Sequence, residues 1–170
     1  MGSAARLVSA RLQLLPLTRD DVDDLHQVFT EAGVRKYLWD DEVIERERTA
    51  EIVDTSVASF ETNGFGLWAL RVADETALAG FCGFWHFHEP PQLELLYGLS
   101  TRYWGKGLAT EAALAMIAFG FDALRFERIA ASTDAANTAS VRVMERAGMR
   151  FWKRETTNGL DTIYYARTIG

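Results

Sequence analysis

Apolar residues crowd positions 93–99 with few interruptions, and from Leu108 onward Leu108, Ala112, Ala115 and Phe119 recur at three- and four-residue spacing. A buried strand followed by a helix is the reading of that change of period. Between them Gly105-Lys106-Gly107 forms a glycine-rich bend, so a strand feeds a loop whose backbone opens a helix.

The rest of the chain falls into elements around this unit. Residues 11–17 read as a first strand on Leu12, Leu14, Leu15 and Leu17, with Pro16 marking an edge or an end. Thr18 or Asp20 caps a helix whose apolar face is Val22, Leu25, Val28 and Phe29, and Gly33 is expected to end it. Residues 35–39 read as a mixed loop. Asp40-Asp41 then introduces a second helix to about Thr62, carrying Val43, Ile44, Ile52, Val53, Val57 and Phe60. Strands at 65–73, 77–88 and 93–99, separated by Asp74-Glu75-Thr76 and Pro90-Pro91, argue for an antiparallel meander. After the central helix come a strand at 127–133 and a helix at 137–147 closed by Gly148. A final hairpin of 149–155 and 160–168 turns at Asn158-Gly159. A strand-helix-strand unit around the bend requires one parallel pair in an otherwise antiparallel sheet.

With 170 residues and 48% hydrophobic content, one domain spanning 1–170 is expected, with residues 1–9 loosely held. The formal charge of −6 argues against nucleic acid as the main ligand, which needs clustered Lys and Arg, and weakly suits a cationic amine. Cys82 is the single cysteine, so no internal disulfide and no cysteine-based zinc site is expected. No apolar run approaches the ~20 residues needed to cross a bilayer, which sets the expectation of a cytoplasmic protein with no membrane partner.

The bend has a chemical use. The first turn of a helix leaves N–H groups without partners at the positive end of the helix dipole, which makes a seat for phosphate. Gly105 and Gly107 let a ligand approach the amides, and Lys106 adds charge. The P-loop pattern fails, because Gly107 follows Lys106 where a hydroxyl should stand. The dinucleotide fingerprint is weak, because Thr110 occupies its third glycine position.

Tyr103-Trp104-Gly105-Lys106-Gly107-Leu108-Ala109-Thr110-Glu111-Ala112 resembles the pyrophosphate motif of the GNAT superfamily of acetyl-CoA-dependent N-acetyltransferases, in the form common to its Rim-type ribosomal-protein branch. The resemblance runs from Arg11 to about Ala166. It implies an α/β (α+β) GNAT fold: a mixed, mostly antiparallel seven-stranded sheet with a central parallel pair and about four helices on both faces. It also implies acetyl-CoA as co-substrate, no metal, and direct transfer of acetyl to a primary amine of a protein N-terminus or a small molecule. Trp104, Gly105, Lys106, Gly107, Leu108, Ala109 and Thr110 would then bind the diphosphate. Backbone groups of Tyr97, Gly98 and Leu99 would bind the pantetheine arm. Gly98 fits a close backbone approach and equally a packing need.

Acetyl transfer requires an amine that loses its proton, a donor for the oxyanion and a polarised leaving thiolate. Glu94 interrupts the central strand and is either the general base, through a water, or an end-of-strand carboxylate paired with a neighbouring Arg or facing solvent. Asn137-Thr138-Ala139-Ser140 resembles the family's N-x-x-S signature. Asn137 caps the helix or bonds the pantetheine amides, and Ser140 is the candidate for polarising the thiolate. Met144 stands where some members carry a tyrosine acid. His86 and His88 lack a third ligand at usable spacing, and Tyr37, Trp39, Trp85 and Phe87 are either walls of an acceptor pocket or ordinary core. Two other readings stay open: a non-catalytic acyl-CoA-binding or sensing module, and a nucleotide binder. The residues leave monomer and homodimer undecided.

Overall fold

The computed structural model describes residues 5–87, 91–157 and 159–170. One sheet runs through it in the order β1-β2-β3-β4-β5-β6-β8-β7. Its strands are β1 (Leu7–Val8), β2 (Leu12–Pro16), β3 (Leu67–Val72), β4 (Gly80–Phe87), β5 (Gln92–Leu99), β6 (Arg128–Asp134), β7 (Arg150–Thr157) and β8 (Leu160–Thr168). Five helices accompany it: α1 (Val22–Thr30), α2 (Ala32–Leu38), α3 (Arg46–Asn63), α4 (Leu108–Asp122) and α5 (Thr138–Arg146). All neighbouring strands are antiparallel except β5 and β6, so the mixed sheet with one central parallel pair is the observed fold.

Alternation along the strands divides the core in two. On one face Leu12, Trp68, Cys82, Phe84, Leu95, Leu99, Ile129 and Ala131 pack against Leu108, Ala112, Met116 and Ile117 of α4 and Met144 of α5. On the other, Leu67, Ala69 and Phe81 pack against Leu25, Val28 and Phe29 of α1, Val34 of α2, and Ile52 and Val53 of α3. Small residues on the sheet-facing side of α4, with Ala112 and Ala113 fully buried, let it lie close over the strands.

The count exceeds the seven strands and about four helices expected from sequence at two places, and one helix boundary moves. Leu7 and Val8 pair with Leu14 and Gln13 to add a short strand. Gly33 does not end the first helix; α1 stops at Glu31, whose extended ψ of 135° breaks the chain before α2. Gly33 lies inside α2, where a Cβ would come within 2.7 Å of the Trp104 ring, so this glycine admits an indole. Residues 35–38 are thereby helical rather than loop. Asp40 and Asp41 take left-handed φ of 50° and 65° and turn the chain instead of opening a helix. α3 begins only at Arg46, leaving Val43 65% exposed. Gly64 closes α3 in the left-handed conformation, as expected for a glycine C-cap. His88 and Asn158 lie outside the described residues.

Candidate active site

The parallel join is the structural centre of the site. β4 and β5 are registered over eight pairs, from Gly80 opposite Leu99 to Phe87 opposite Gln92. β5 and β6 share one, Glu94 opposite Ala130. Among the described residues, Leu95 to Leu99 have no registered partner on β6, so the edge of β5 that faces it is unpaired there. Backbone groups on such an edge need partners, and a ligand with amide groups can supply them. Both helices that follow these strands, α4 and α5, start beyond the carboxyl ends of β5 and β6, where open sheets hold their ligands.

Ahead of α4, a single turn of 3-10 helix (Thr101–Tyr103) leads into Trp104 and the bend. Gly105 and Gly107 both have φ of +76°, and Gly107 is the N-cap of α4 without any side-chain cap. A Cβ at Gly105 would meet nothing within 4 Å, and Gly105, Lys106 and Gly107 are exposed. The bend is thus open to a ligand, and the first amides of α4 have no acceptor within the helix.

Two carboxylates brace this loop from outside it. Glu111, in the first turn of α4, accepts the Ser9 hydroxyl at 2.5 Å, the Arg11 amide at 2.8 Å and Arg11 Nε at 2.8 Å. Arg11 Nη1 also donates to the Lys106 carbonyl at 2.8 Å, tying the bend to the start of β2. Burial pushes the Glu111 carboxyl up, but the hydrogen bonds from Ser9 and Arg11 outweigh it and hold the group below its ordinary value. Glu31 accepts from Ser100 Oγ at 2.6 Å and from the Thr101 amide at 2.8 Å. Trp104, 52% exposed, donates its indole N–H to the Leu99 carbonyl at 2.9 Å and covers Gly33.

Glu94 is 2% exposed and sits at the single joining pair. Ser132, two residues along β6, donates its hydroxyl to Glu94 Oε1. Both belong to the sheet face covered by α1–α3, as the neighbouring Leu96 packs there. Tyr164, paired with Ser132 in the ladder, lies on the same face, and burial and the Glu94 charge push its phenol up. Asp134 follows on this face. Burial and the Asp40 carboxylate raise its pKa.

The opposite face carries a different pair. Asn137 caps α5, its Oδ1 accepting the Ser140 amide at 3.2 Å. Ser140 Oγ lies 2.8 Å from Tyr97 Oη, and the phenol donates to the Ser140 carbonyl at 3.0 Å. Tyr97 packs against the α4 and α5 core, so Glu94 and Ser140 stand on the two sides of the sheet at the point where its strands part.

Gly98 faces Phe81 on β4, and a Cβ would fall 2.5 Å from that ring. Packing therefore accounts for this glycine. Of the four aromatic candidates, Trp39 stacks edge-on against Phe29 at 5.5 Å and packs with Trp85 on the second core, while Tyr37 Oη donates to the Ala136 carbonyl at 3.4 Å. Phe87 is half-buried and His86 exposed. Among the described residues no group of three or more His, Cys, Asp or Glu side chains is placed to hold a metal, and no helix is long and apolar enough to cross a membrane. Cys82 is fully buried against the Ala112 carbonyl, its thiol pushed up by burial.

Ser132 and the phenol of Tyr97 carried no signal in the sequence. Glu111 stands inside the quoted motif, four residues after Gly107, and its position in the first turn of a helix was the available hint.

Residues 11–150 match the family described as the acetyltransferase (GNAT) domain. The chain belongs to the GNAT family. This N-acetyltransferase is 32% identical over 143 residues to the uncharacterized N-acetyltransferase p20 of Bacillus licheniformis, covering 81% of this chain and 78% of the relative. It is 23% identical over 137 residues to spermidine N(1)-acetyltransferase of Escherichia coli K12, covering 81% and 72%. Its fold is also that of RimL, a ribosomal L7/L12 alpha-N-protein acetyltransferase solved in complex with coenzyme A, with a TM-score of 0.81, 21% identity and coverage of 97% and 98%.

Proposed function

We propose that this N-acetyltransferase moves the acetyl group of acetyl-CoA directly to a primary amine, with Glu94 and Ser140 working from opposite faces of the sheet. The observation that carries this reading is the single-pair join of β5 and β6, with a buried carboxylate at it and two helix N-termini beyond it. The residues present fit the cofactor. The open bend and first turn from Trp104 to Thr110 would hold its diphosphate, and the edge of β5 at Tyr97, Gly98 and Leu99, where the Leu99 carbonyl already accepts the Trp104 indole N–H, would with Asn137 hold its amide-bearing arm. The co-substrate supplies an activated acyl thioester.

The chain's own groups supply the rest. Glu94, oriented by Ser132, takes the ammonium proton through a water. An N–H on the open edge of β5 is the available donor for the oxyanion. Ser140 donates to the sulfur as the thiolate leaves.

Asp134, crowded by Asp40, gives the Glu94 face a negative field that suits an acceptor arriving as a cation. A relative acting on spermidine and one acting on a protein N-terminus both offer such an ammonium, so the acceptor is a small amine or a peptide N-terminus.

Amines and N-terminal peptides are screened for acetyl-CoA-dependent thiol release. A non-catalytic acyl-CoA module binds the cofactor and releases no thiol with any amine. Glu94→Gln is expected to lower kcat; an unchanged rate and pH profile removes Glu94 as the base. Ser140→Ala is expected to lower kcat more than it raises the KM for acetyl-CoA, and the reverse pattern makes Ser140 a binding residue.

A further inference from the structure

Ser140 is held on three atoms. Asn137 accepts its amide, and one phenol, Tyr97 Oη, reaches both its carbonyl oxygen at 3.0 Å and its hydroxyl at 2.8 Å. The phenol has one proton to place. While that proton rests on the carbonyl, which only accepts, the Tyr97 oxygen is free to accept the proton of Ser140 Oγ. When Ser140 donates elsewhere, the Tyr97 proton has a second acceptor at the same distance range, Ser140 Oγ itself.

We propose that Tyr97 is a positioning residue for acetyl transfer, its hydroxyl holding Ser140 Oγ and turning its proton onto that oxygen as the serine donates to the departing sulfur. The inference rests on the acetyltransferase reading above.

Three observations support it. Beyond Glu94 β5 has no registered partner on β6 among the described residues, and the Tyr97 hydroxyl reaches from β5 to Ser140 in the first turn of α5. Met144, one turn along α5 from Ser140, is fully buried and has no proton to give, so α5 offers no phenol of its own there. A hydroxyl that accepts one hydrogen bond becomes a better donor in the next, so the pair stabilises a thiolate more than Ser140 alone.

The electron pair of the breaking C–S bond goes to sulfur, and both hydroxyl protons stay on their oxygens. Burial pushes the Tyr97 phenol above its ordinary value. Since that ordinary value is about 10 and a cysteine-type thiol titrates near about 8.5, the thiolate is the weaker base and does not strip the phenol. Solvent protonates the sulfur after it leaves. Tyr97 thus acts as a fixed donor rather than an acid consumed in each turnover.

Thiol release is followed with the full chain for wild type, Tyr97→Phe, Ser140→Ala and the double variant, alongside melting temperature and coenzyme A affinity. The expected Tyr97→Phe lowers kcat about tenfold and keeps the KM for acetyl-CoA within about twofold. The double variant is then no slower than Ser140→Ala, because Tyr97 has lost the atom it acts through. Losses that multiply in the double variant, a KM effect with kcat intact, or no change in kcat overturns the proposal. Should Tyr97→Phe fail to fold, 3-fluorotyrosine at position 97 keeps the test. Fluorine makes this phenol a stronger hydrogen-bond donor of nearly the same shape, so kcat is expected to change while the KM for acetyl-CoA stays within about twofold, and an unchanged kcat overturns the proposal. Absence of amine-dependent thiol release in the wild type strikes the acetyltransferase reading itself, whereas release with wrongly behaving variants strikes only Tyr97.

Discussion

Replacing Gly98 by alanine separates packing from cofactor binding at one position. The added Cβ would fall 2.5 Å from Phe81 Cζ and 2.7 Å from Cε1, well inside van der Waals contact. The ring has little room to retreat, because Phe81 is 1% exposed and meets Phe29 edge-on at 5.1 Å, and Phe29 in turn meets Trp39 at 5.5 Å. Overpacking of this kind costs about 1–3 kcal/mol, and alanine's smaller loss of chain entropy on folding returns about 0.4–1 kcal/mol. A net loss of about 1–2 kcal/mol lowers the melting temperature of a chain this size by about 2–8 °C. Thermal unfolding by near-ultraviolet circular dichroism reads it directly. Phe81→Leu in the same chain should recover part of the loss, with a favourable coupling between the two sites. A melting temperature within about 1 °C of wild type for Gly98→Ala, or losses that simply add in the double variant, would refute the steric account.

Two further predictions concern the bend. Gly107→Ala leaves space, the nearest atom to a Cβ being Arg11 Nη2 at 3.5 Å, but holds a side chain at φ +76°, a strain of about 1–2 kcal/mol. The KM for acetyl-CoA should rise severalfold with kcat largely kept, and an unchanged KM would show that the bend does not carry the diphosphate. Glu111→Gln should cost about 1–3 kcal/mol at neutral pH, since it weakens three hydrogen bonds at a carboxylate whose side chain is 17% exposed. The Glu111 pKa is lower in the folded chain than its ordinary value of 4.5. Its stabilisation is therefore full above that value and lost as pH falls through the folded one. Melting curves of variant and wild type should converge in acid; a constant gap down to pH 2 would contradict the assignment.

What could be read from sequence was what short stretches encode by themselves. The bend, the helix after it, the caps at Gly148 and Asn137 and the strand periods all follow from local backbone chemistry, and they stand where expected. The boundaries between 31 and 46 did not, because distant groups set them. Glu31 breaks the helix while bonding Ser100 and Thr101, and Arg35 ties the segment by donating to the Thr30 carbonyl at 2.9 Å and pairing with Asp41 at 3.1 Å. Ser132 meets Glu94 across 38 positions of chain, and Tyr97 meets Ser140 across 43. No periodicity within either segment announces such a meeting.

The chemistry also depends on register in a way that makes the join more than an opening. Because successive side chains on a strand point to opposite faces, Glu94 and Tyr97, an odd number of positions apart, must lie on different sides of β5. Ser132 is likewise two positions from Ala130 on β6, so it shares the face of Glu94 and not that of Ser140. A slip of one residue between β4 and β5 would exchange these assignments, sending the carboxylate into the α4 core and the phenol toward α1. Eight registered pairs, and Phe81 seated in the space above Gly98, stand against that slip. The long antiparallel ladder on one side of β5 is thus what permits a one-pair join on the other, because the strand no longer needs β6 to fix which way Glu94 and Tyr97 face.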